Sequence, residues 1–235
     1  MTGEDASAFS PNRSTSLAGP AIERPLKTWL LTVGHGTASA EQFAALLRRA
    51  GVTDLVDIRS VPGSRHNPQF GQAEMALWLP QAGIAYTWEP ALGGFRKTSP
   101  TSPNVALRHA SFRGYADYMQ TPAFTTALAD LRQLAREREV AVMCAETLWW
   151  RCHRRLVADA AVLWGGATVE HLMPDGRIQM HRLTEGARLD PEGTLAYDGV
   201  PTPTAQMLLL EPEQAGAAKD QSSRSNTHDA QPKPP

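Results

Sequence analysis

The stretch 140–155, V-A-V-M-C-A-E-T-L-W-W-R-C-H-R-R, determines how the rest of the chain is interpreted. The apolar run 140–143 leads straight into Cys144, a pattern typical of a buried strand that carries a thiol at its carboxyl end. After a short loop, a second thiol, Cys152, precedes His153 at the start of a helical pattern. Because ligands of open α/β sheets bind beyond the carboxyl ends of the strands, this stretch predicts a functional site.

Strand and helix patterns alternate along the rest of the chain. Ser39 with Gln42 forms a capping-box signature, Thr121 precedes Pro122 as a helix start, and Ser111 is expected to cap a further short helix. The alternation predicts a single α/β domain with a mainly parallel open sheet of about five strands and helices on both faces. The predicted strands are 28–33, 54–58, 84–88, 140–144 and 168–172, with a short returning strand at 177–183.

Composition sets the expected limits of this domain. Residues 1–25 are rich in Ser, Pro, Ala and Gly, and residues 211–235 are rich in Glu, Gln, Ala, Ser, Lys and Pro. Neither segment has the apolar surface that would offset the entropy of ordering the chain. We therefore expect a disordered N-terminal tail at 1–25, a single domain at 26–200 and a disordered C-terminal tail at 211–235.

Charge and hydropathy narrow the classes of partner. The formal net charge of −1 gives no general attraction to nucleic acid or to an anionic membrane. No apolar run approaches the roughly 18 residues of a membrane span, and the N-terminus lacks the basic and apolar regions of a secretory signal. Two cysteines do not form a disulfide framework. We expect a cytoplasmic protein with reduced thiols and no membrane partner.

Five unusual sequence blocks occur in a fixed order: T-V-G-H-G-T at 32–37, L-V-D-I-R-S-V-P-G-S-R-H-N-P-Q-F at 55–70, L-G-G at 92–94, F-R-G-Y-A-D-Y-M at 112–119 and C-A-E-x-x-x-x-x-C-H-R-R at 144–155. Through these blocks the chain resembles the domain-of-unknown-function 488 family over roughly residues 28–190. The resemblance implies a single compact α/β domain of a bacterial protein and no particular reaction. One departure is Leu148-Trp149-Trp150, where the family pattern is expected to contain a proline.

The two cysteines are the leading catalytic candidates. Cys152, at a helix start between arginines, gains from the helix dipole and from positive neighbours, both of which favour the thiolate. Cys144 is either a second candidate or a small buried hydrophobic residue, and Glu146 close by disfavours its thiolate. His35, between two glycines at a strand end, and Glu146 are the candidates for carrying a proton.

Thiols and imidazoles also raise the question of a metal. Cys144, Cys152, His153 and His35 are residue types that bind zinc. Seven residues separate the cysteines, however, and the chain has no C-x-x-C or H-x-x-x-H pair. We therefore expect no metal site, and the sequence indicates no particular cofactor.

Candidate binding residues follow the predicted strands or lie on the adjoining loops. Arginines suit an anionic group because guanidinium binds it through two hydrogen bonds. The alternative for Arg59 is a structural ion pair with Asp57. The predicted substrate-binding residues are Asp57, Arg59, Asn67, Arg113, Tyr115, His153 and Arg154.

These features favour an enzyme that acts on a small anionic or nucleotide-like substrate at the carboxyl edge of the sheet, with Cys152 or Cys144 as the nucleophile. The alternative is a nucleotide- or nucleic-acid-binding module, in which Trp149 and Trp150 stack on bases and arginines contact phosphate. A lesser alternative is rhodanese-like sulfur transfer, suggested by Asp57-Ile58-Arg59 ahead of a strand that ends in a cysteine. The sequence alone does not decide whether the protein is an enzyme.

Overall fold

The computed structural model describes residues 28–63 and 65–199. The predicted tails at 1–25 and 211–235 lie outside the described residues. Within the described residues the strands are β1 (Trp29–Gly34), β2 (Asp54–Asp57), β3 (Ala85–Trp88), β4 (Val140–Cys144), β5 (Thr168–Leu172), β6 (Ile178–Met180), β7 (Ala187–Leu189) and β8 (Leu195–Tyr197). The α-helices there are α1 (Ala40–Arg49), α2 (Gln72–Gln81), α3 (Ala110–Tyr118), α4 (Pro122–Glu137) and α5 (Arg154–Leu163).

Six strands form one sheet in the order β3-β2-β4-β1-β5-β6. Strands β1 to β5 are mutually parallel, and β6 pairs antiparallel with β5 at one edge. The prediction of a single α/β domain with a mainly parallel sheet is confirmed. Strands β7 and β8 form a separate antiparallel pair that was not predicted. No helix among the described residues has the length and apolar character to cross a lipid bilayer.

Alternation of side chains along the strands divides the core into two layers. In β1, Leu30 belongs to the core that packs against α3, α4 and α5, whereas Leu31 and Val33 belong to the core that packs against α1 and α2. Successive strand side chains point to opposite faces of a sheet, so apolar residues on both faces require helices on both sides. The predicted arrangement of helices on both faces is confirmed.

Two of the three predicted helix starts are confirmed. The Gln42 amide donates to the Ser39 hydroxyl, and the Ser39 amide donates to the Gln42 side chain, which forms the capping box of α1. Thr121 caps α4, and Pro122 is its first residue. The prediction for Ser111 is wrong. His109 is the last residue with extended backbone, so it is the N-cap and Ser111 lies inside α3.

The carboxyl ends of β1 and β4 lie side by side in the sheet. These strands are neighbours, and Gly34 at the end of β1 pairs with Cys144 at the end of β4. The chain leaves β1 through α1 on one face of the sheet and leaves β4 through α5 on the other face. The two connections thus lie on opposite faces of the sheet, and ligands of open α/β sheets bind beyond the carboxyl ends of the strands.

Candidate active site

A cavity of about 580 Å³ lies beyond the carboxyl ends of β1, β2 and β4, a size that suits a small-molecule ligand. The loops that follow the three strands supply most of its polar wall, and the start of α5 supplies its thiol and imidazole. The predicted site residues that line it are His35, Arg59, Asn67, Tyr115, Cys144, Glu146, Cys152 and His153.

Three predicted site residues lie outside this lining. The Asp57 carboxylate is fully buried and accepts two-pronged hydrogen bonds from Arg59, with 2.8 Å between Arg59 Nε and Asp57 Oδ1. The Arg113 guanidinium donates to the backbone carbonyl groups of Leu107 and Arg108. Arg154 is also buried, beneath the loop that follows β4. These three side chains therefore support the walls of the cavity.

Two thiols and one imidazole meet at the cavity surface. His153 Nδ1 lies 3.6 Å from Cys152 Sγ and 3.9 Å from Cys144 Sγ. His153 Nε2 lies 3.1 Å from the Ile58 carbonyl oxygen. A carbonyl oxygen only accepts hydrogen bonds, so Nε2 carries a proton. Nδ1, which faces both sulfur atoms, can therefore accept the proton of a thiol and then donate a hydrogen bond to the resulting thiolate.

Arg154 places a positive charge beside these thiols. Only 1% of its surface is exposed, and its guanidinium donates to the backbone carbonyl groups of Glu146 and Thr147. Within 28–63 and 65–199 no carboxylate forms an ion pair with Arg154, and its Nε has no hydrogen-bond partner there. A buried charge needs a counter-charge, and a thiolate at Cys152 is the negative group available to it.

The pKa values of the two thiols are shifted in opposite directions. The pKa of Cys144 is raised well above its usual range by its hydrogen bond with Cys152 and by burial. Burial alone would raise the pKa of Cys152 as well. The hydrogen bonds with Cys144 and His153, and the charge of Arg154, outweigh burial and hold that pKa well below its usual range. The backbone N–H of Arg154 also donates to Cys152 Sγ at 3.5 Å. These interactions therefore favour the thiolate at Cys152 over a thiolate at Cys144.

The opposite wall holds a neutral histidine. The His35 ring stacks on Phe70 with 4.1 Å between centroids, and its Nδ1 donates to the Gly36 carbonyl. Burial, together with the charge of Arg59, lowers the pKa of His35 to about 4. The free nitrogen, Nε2, faces Arg59 Nη1 at 3.4 Å and accepts from it. His35 is thus uncharged at neutral pH.

The model of the family described as "Domain of unknown function DUF488" matches residues 39–161 of this sequence. The chain belongs to this family. The matched segment contains every predicted site residue except His35, so the thiols and the buried arginine of this DUF488 protein lie in the part shared with its family. No curated protein and no solved structure matches the chain.

The tryptophans of the DUF488 protein do not lie where they would stack on the bases of a ligand in the cavity. Trp149 stacks on His171 with 3.9 Å between centroids, and its Nε1 donates to Gln179. Trp150 packs edge-on against Trp149 and is half-exposed. Neither indole lines the cavity. Trp149 therefore packs against His171 instead of lining the cavity.

Several lining residues of the cavity were not predicted from the sequence. Arg151 is exposed and adds a positive charge, whereas Phe95 and Phe112 add aromatic rings. Arg151 follows Trp150 in the loop already singled out, so its position in the chain was the available signal. Phe95 follows the L-G-G block, and nothing in that spacing indicates where its ring lies. Ser60 and Ser111 complete the unpredicted polar lining.

The geometry also bears on metal binding. Among the described residues, Cys144, Cys152 and His153 are a group whose ligand atoms, all within 4.8 Å of one another, lie close enough to share a metal ion. The positive charge of Arg154 already balances one thiolate, and it opposes a second cation at the same place. The absence of a metal at this site therefore stays a prediction, supported by the repulsion between the Arg154 charge and a metal cation.

Proposed function

We propose that this DUF488 protein is an enzyme in which Cys152 attacks a small anionic or nucleotide-like substrate bound in the cavity. One observation carries the proposal: Cys152 lines the cavity next to Arg154, a buried cation that no carboxylate balances among residues 28–63 and 65–199. A thiolate held by a fixed cation and a helix start is a nucleophile at neutral pH.

The surrounding groups suit a covalent group transfer. Cys152 Sγ forms a bond to an electrophilic carbon of the substrate while the bond from that carbon to the leaving group breaks. His153 Nδ1, which faces Cys152, gives the leaving group the proton it took from the thiol. Attack by water or another acceptor on the thiol-bound group then releases the product and restores the thiolate. Cys144, still protonated, donates its hydrogen bond to Cys152 throughout.

Arg151 is the first candidate to bind an anionic group of the substrate. It is exposed and lines the cavity. Arg59 lines the cavity too, but its charge is balanced by Asp57 and its Nη2 also donates to the Phe70 carbonyl at 2.8 Å. A guanidinium that is already paired binds a second anion weakly, so Arg59 orients His35 and Arg151 supplies the charge.

The environments of Cys144 and Trp149 argue against the two alternative functions. Rhodanese-like sulfur transfer needs a thiolate at the strand-end cysteine, and here the pKa of Cys144 is raised. A nucleic-acid module needs exposed stacking platforms, whereas Trp149 is stacked inside the protein on His171. We also propose that the protein acts in the cytoplasm, where reducing conditions keep both thiols free for this chemistry.

Alkylation of the thiols tests the proposal. Iodoacetamide should modify Cys152 at neutral pH at least ten times faster than it modifies N-acetylcysteine, with mass spectrometry locating the adduct. Cys152→Ser should abolish the fast phase. Cys144→Ala should slow it, because the hydrogen bond to the thiolate is lost, and Cys144→Ser should restore it. Slow labelling of both cysteines in the folded protein would refute the nucleophilic role.

Three further measurements separate the other hypotheses. Elemental analysis of protein purified without a histidine tag tests for a metal. Stoichiometric zinc would show that the thiols bind a metal and would refute the nucleophilic role of Cys152. Tight binding to oligonucleotides that weakens steeply with added salt would favour the nucleic-acid module. A thermal-shift screen with AMP and inorganic phosphate tests the substrate class, because a ligand that binds only the folded state raises Tm. Turnover of any hit must then be lost in Cys152→Ser.

A further inference from the structure

Phe95 has an unusual combination of backbone and environment. Its φ of +58° lies in the left-handed region, where among the described residues the others are all glycines. Its side chain is 92% exposed. A bulky side chain in this region costs free energy. Since the ring remains in solvent, packing within the protein does not offset that cost.

The backbone on both sides of Phe95 is fixed by its neighbours. The Gly94 carbonyl accepts hydrogen bonds from Ser60 Oγ at 2.6 Å and from Arg96 Nη1 at 3.3 Å. The Arg96 guanidinium lies 3.9 Å from the centroid of the Tyr118 ring. These contacts hold residues 94 and 96 in place, so the strained residue between them cannot relax.

The same loop lies directly against the catalytic imidazole. A Cβ added at Gly94 would lie 3.2 Å from His153 Nδ1, so the Gly94 backbone closely approaches that ring. Phe95, the next residue, lines the cavity that Cys152 and His153 also line. Strained residues are concentrated at ligand clamps and active sites, and here the strained residue adds an aromatic ring to the lining of the cavity.

A second aromatic ring and a cation complete this wall. Phe112 lines the cavity, and the Arg155 guanidinium lies 4.5 Å from the centroid of its ring. Arg151 contributes an exposed charge to the same lining. The cavity thus combines a thiol, a cation and two aromatic rings, which are the groups that recognise a flat, charged molecule.

We infer that Phe95 covers a planar ring of the substrate, so that the substrate is an aromatic or heteroaromatic molecule that carries an anionic group. This inference rests on the proposed function, because the ring of the substrate is placed in the cavity where Cys152 reacts. It makes Phe95 a specificity-determining residue, whose strained backbone is retained for binding.

Two alkylating reagents that differ only by a ring test this inference. Iodoacetamide and its N-phenyl derivative are each reacted with Cys152 and with N-acetylcysteine, and the ratio of the two rate constants gives the aromatic preference of each thiol. The protein should prefer the phenyl reagent about fivefold more than N-acetylcysteine does, the size of one aromatic contact. Phe95→Ala and Phe95→Gly should remove this preference, and Phe95→Tyr should retain it.

An exposed apolar residue outside the cavity supplies the control. Leu77 on α2 is 68% exposed, and Leu77→Ala should leave the aromatic preference unchanged. Fast labelling with a preference that Phe95→Ala does not alter would overturn the role of Phe95 and leave the proposed function standing. Failure of both reagents to label Cys152 would overturn the proposed function, and the inference with it.

Thermal unfolding gives a second readout that does not depend on the thiol. Phe95→Gly removes the cost of the left-handed backbone and should raise Tm by about 2–4 °C while it abolishes the aromatic preference. Phe95→Ala keeps the backbone cost and should not raise Tm. A fall in Tm for Phe95→Gly would show that the ring stabilises the fold, which would contradict the inference.

Discussion

Two buried histidines should make the fold sensitive to mild acid. Burial is the main cause that lowers the pKa of His35 to about 4 and that of His171 to about 3. His35 stacks on Phe70, and His171 stacks on Trp149. Both imidazoles are therefore neutral in the folded protein throughout the range in which histidines of an unfolded chain take up a proton.

The sign and size of the effect follow from proton linkage. An unfolded histidine protonates below a pKa of about 6.5, so the unfolded state binds more protons and stability falls as the pH falls. The stability from these groups is fully present above about pH 6.5 and is lost as pH falls toward the folded pKa. Each histidine costs about 1.4 kcal/mol per pH unit below 6.5. From about pH 7.5 to about pH 5 each should lower the free energy of unfolding by about 2 kcal/mol, or about 4 kcal/mol for both.

Urea denaturation at the two pH values measures this loss. His35→Gln should reduce the acid-induced loss to about 2 kcal/mol, and His171→Gln should do the same, whatever each change does at neutral pH. His66 is exposed, so His66→Gln should leave the loss unchanged. Carboxyl groups contribute little above pH 5 because their ordinary pKa values are about 4. An equal loss in the wild type and in His35→Gln would refute the buried, neutral state of His35.

Three further predictions follow from the buried contacts. Arg154→Met should slow alkylation of the nucleophilic thiol about tenfold at neutral pH, the effect of one pKa unit, and Arg154→Lys should restore part of the rate. Gly34→Ala should destabilise the fold by several kcal/mol, roughly the cost of overpacking, because the added Cβ would overlap the Glu146 carbonyl. Urea denaturation measures this loss. Gly63→Ala is the control and should leave the free energy of unfolding unchanged, because a Cβ at residue 63 meets nothing within 4 Å. Tyr197→Phe removes a hydrogen bond of 2.9 Å to the fully buried Asp159 carboxylate and should cost about 1.5–3 kcal/mol in the same assay.

Local patterns of the sequence were sufficient to predict most of the fold. Apolar runs located the strands of the main sheet because a buried parallel strand needs apolar residues on both faces. The capping box at Ser39 and the start at Thr121 depend on side chains within three residues of each other, so they too were readable from sequence. The β7–β8 pair was missed although Asp190-Pro191-Glu192-Gly193 contains the turn residues that join two short strands.

The direction of long side chains could not be predicted in this way. Arg59 follows a predicted strand, whereas Arg113 and Arg154 lie in or at the start of predicted helices, and the sequence pattern treats all three as anion binders. In the structure the first is paired with Asp57, the second holds backbone carbonyl groups and the third is buried. Each outcome depends on contacts between segments far apart in the chain, which a local pattern does not contain.

Arg154 connects three segments that lie far apart in the sequence: the end of β1, the loop after β4 and the start of α5. Its guanidinium holds the carbonyl of Glu146 and lies against Gly34: a Cβ at residue 34 would be 2.8 Å from Arg154 Nη2. Glycine at the end of β1 therefore leaves room for both the Glu146 carbonyl and the guanidinium that holds it. The cation in turn needs a negative partner, and in the proposed mechanism the thiolate of Cys152, two residues before it at the helix start, is that partner. Gly34, the loop after β4 and the Cys152 thiol are thus connected through the Arg154 guanidinium. A substitution of Gly34 or of Arg154 should therefore change the reactivity of the Cys152 thiol.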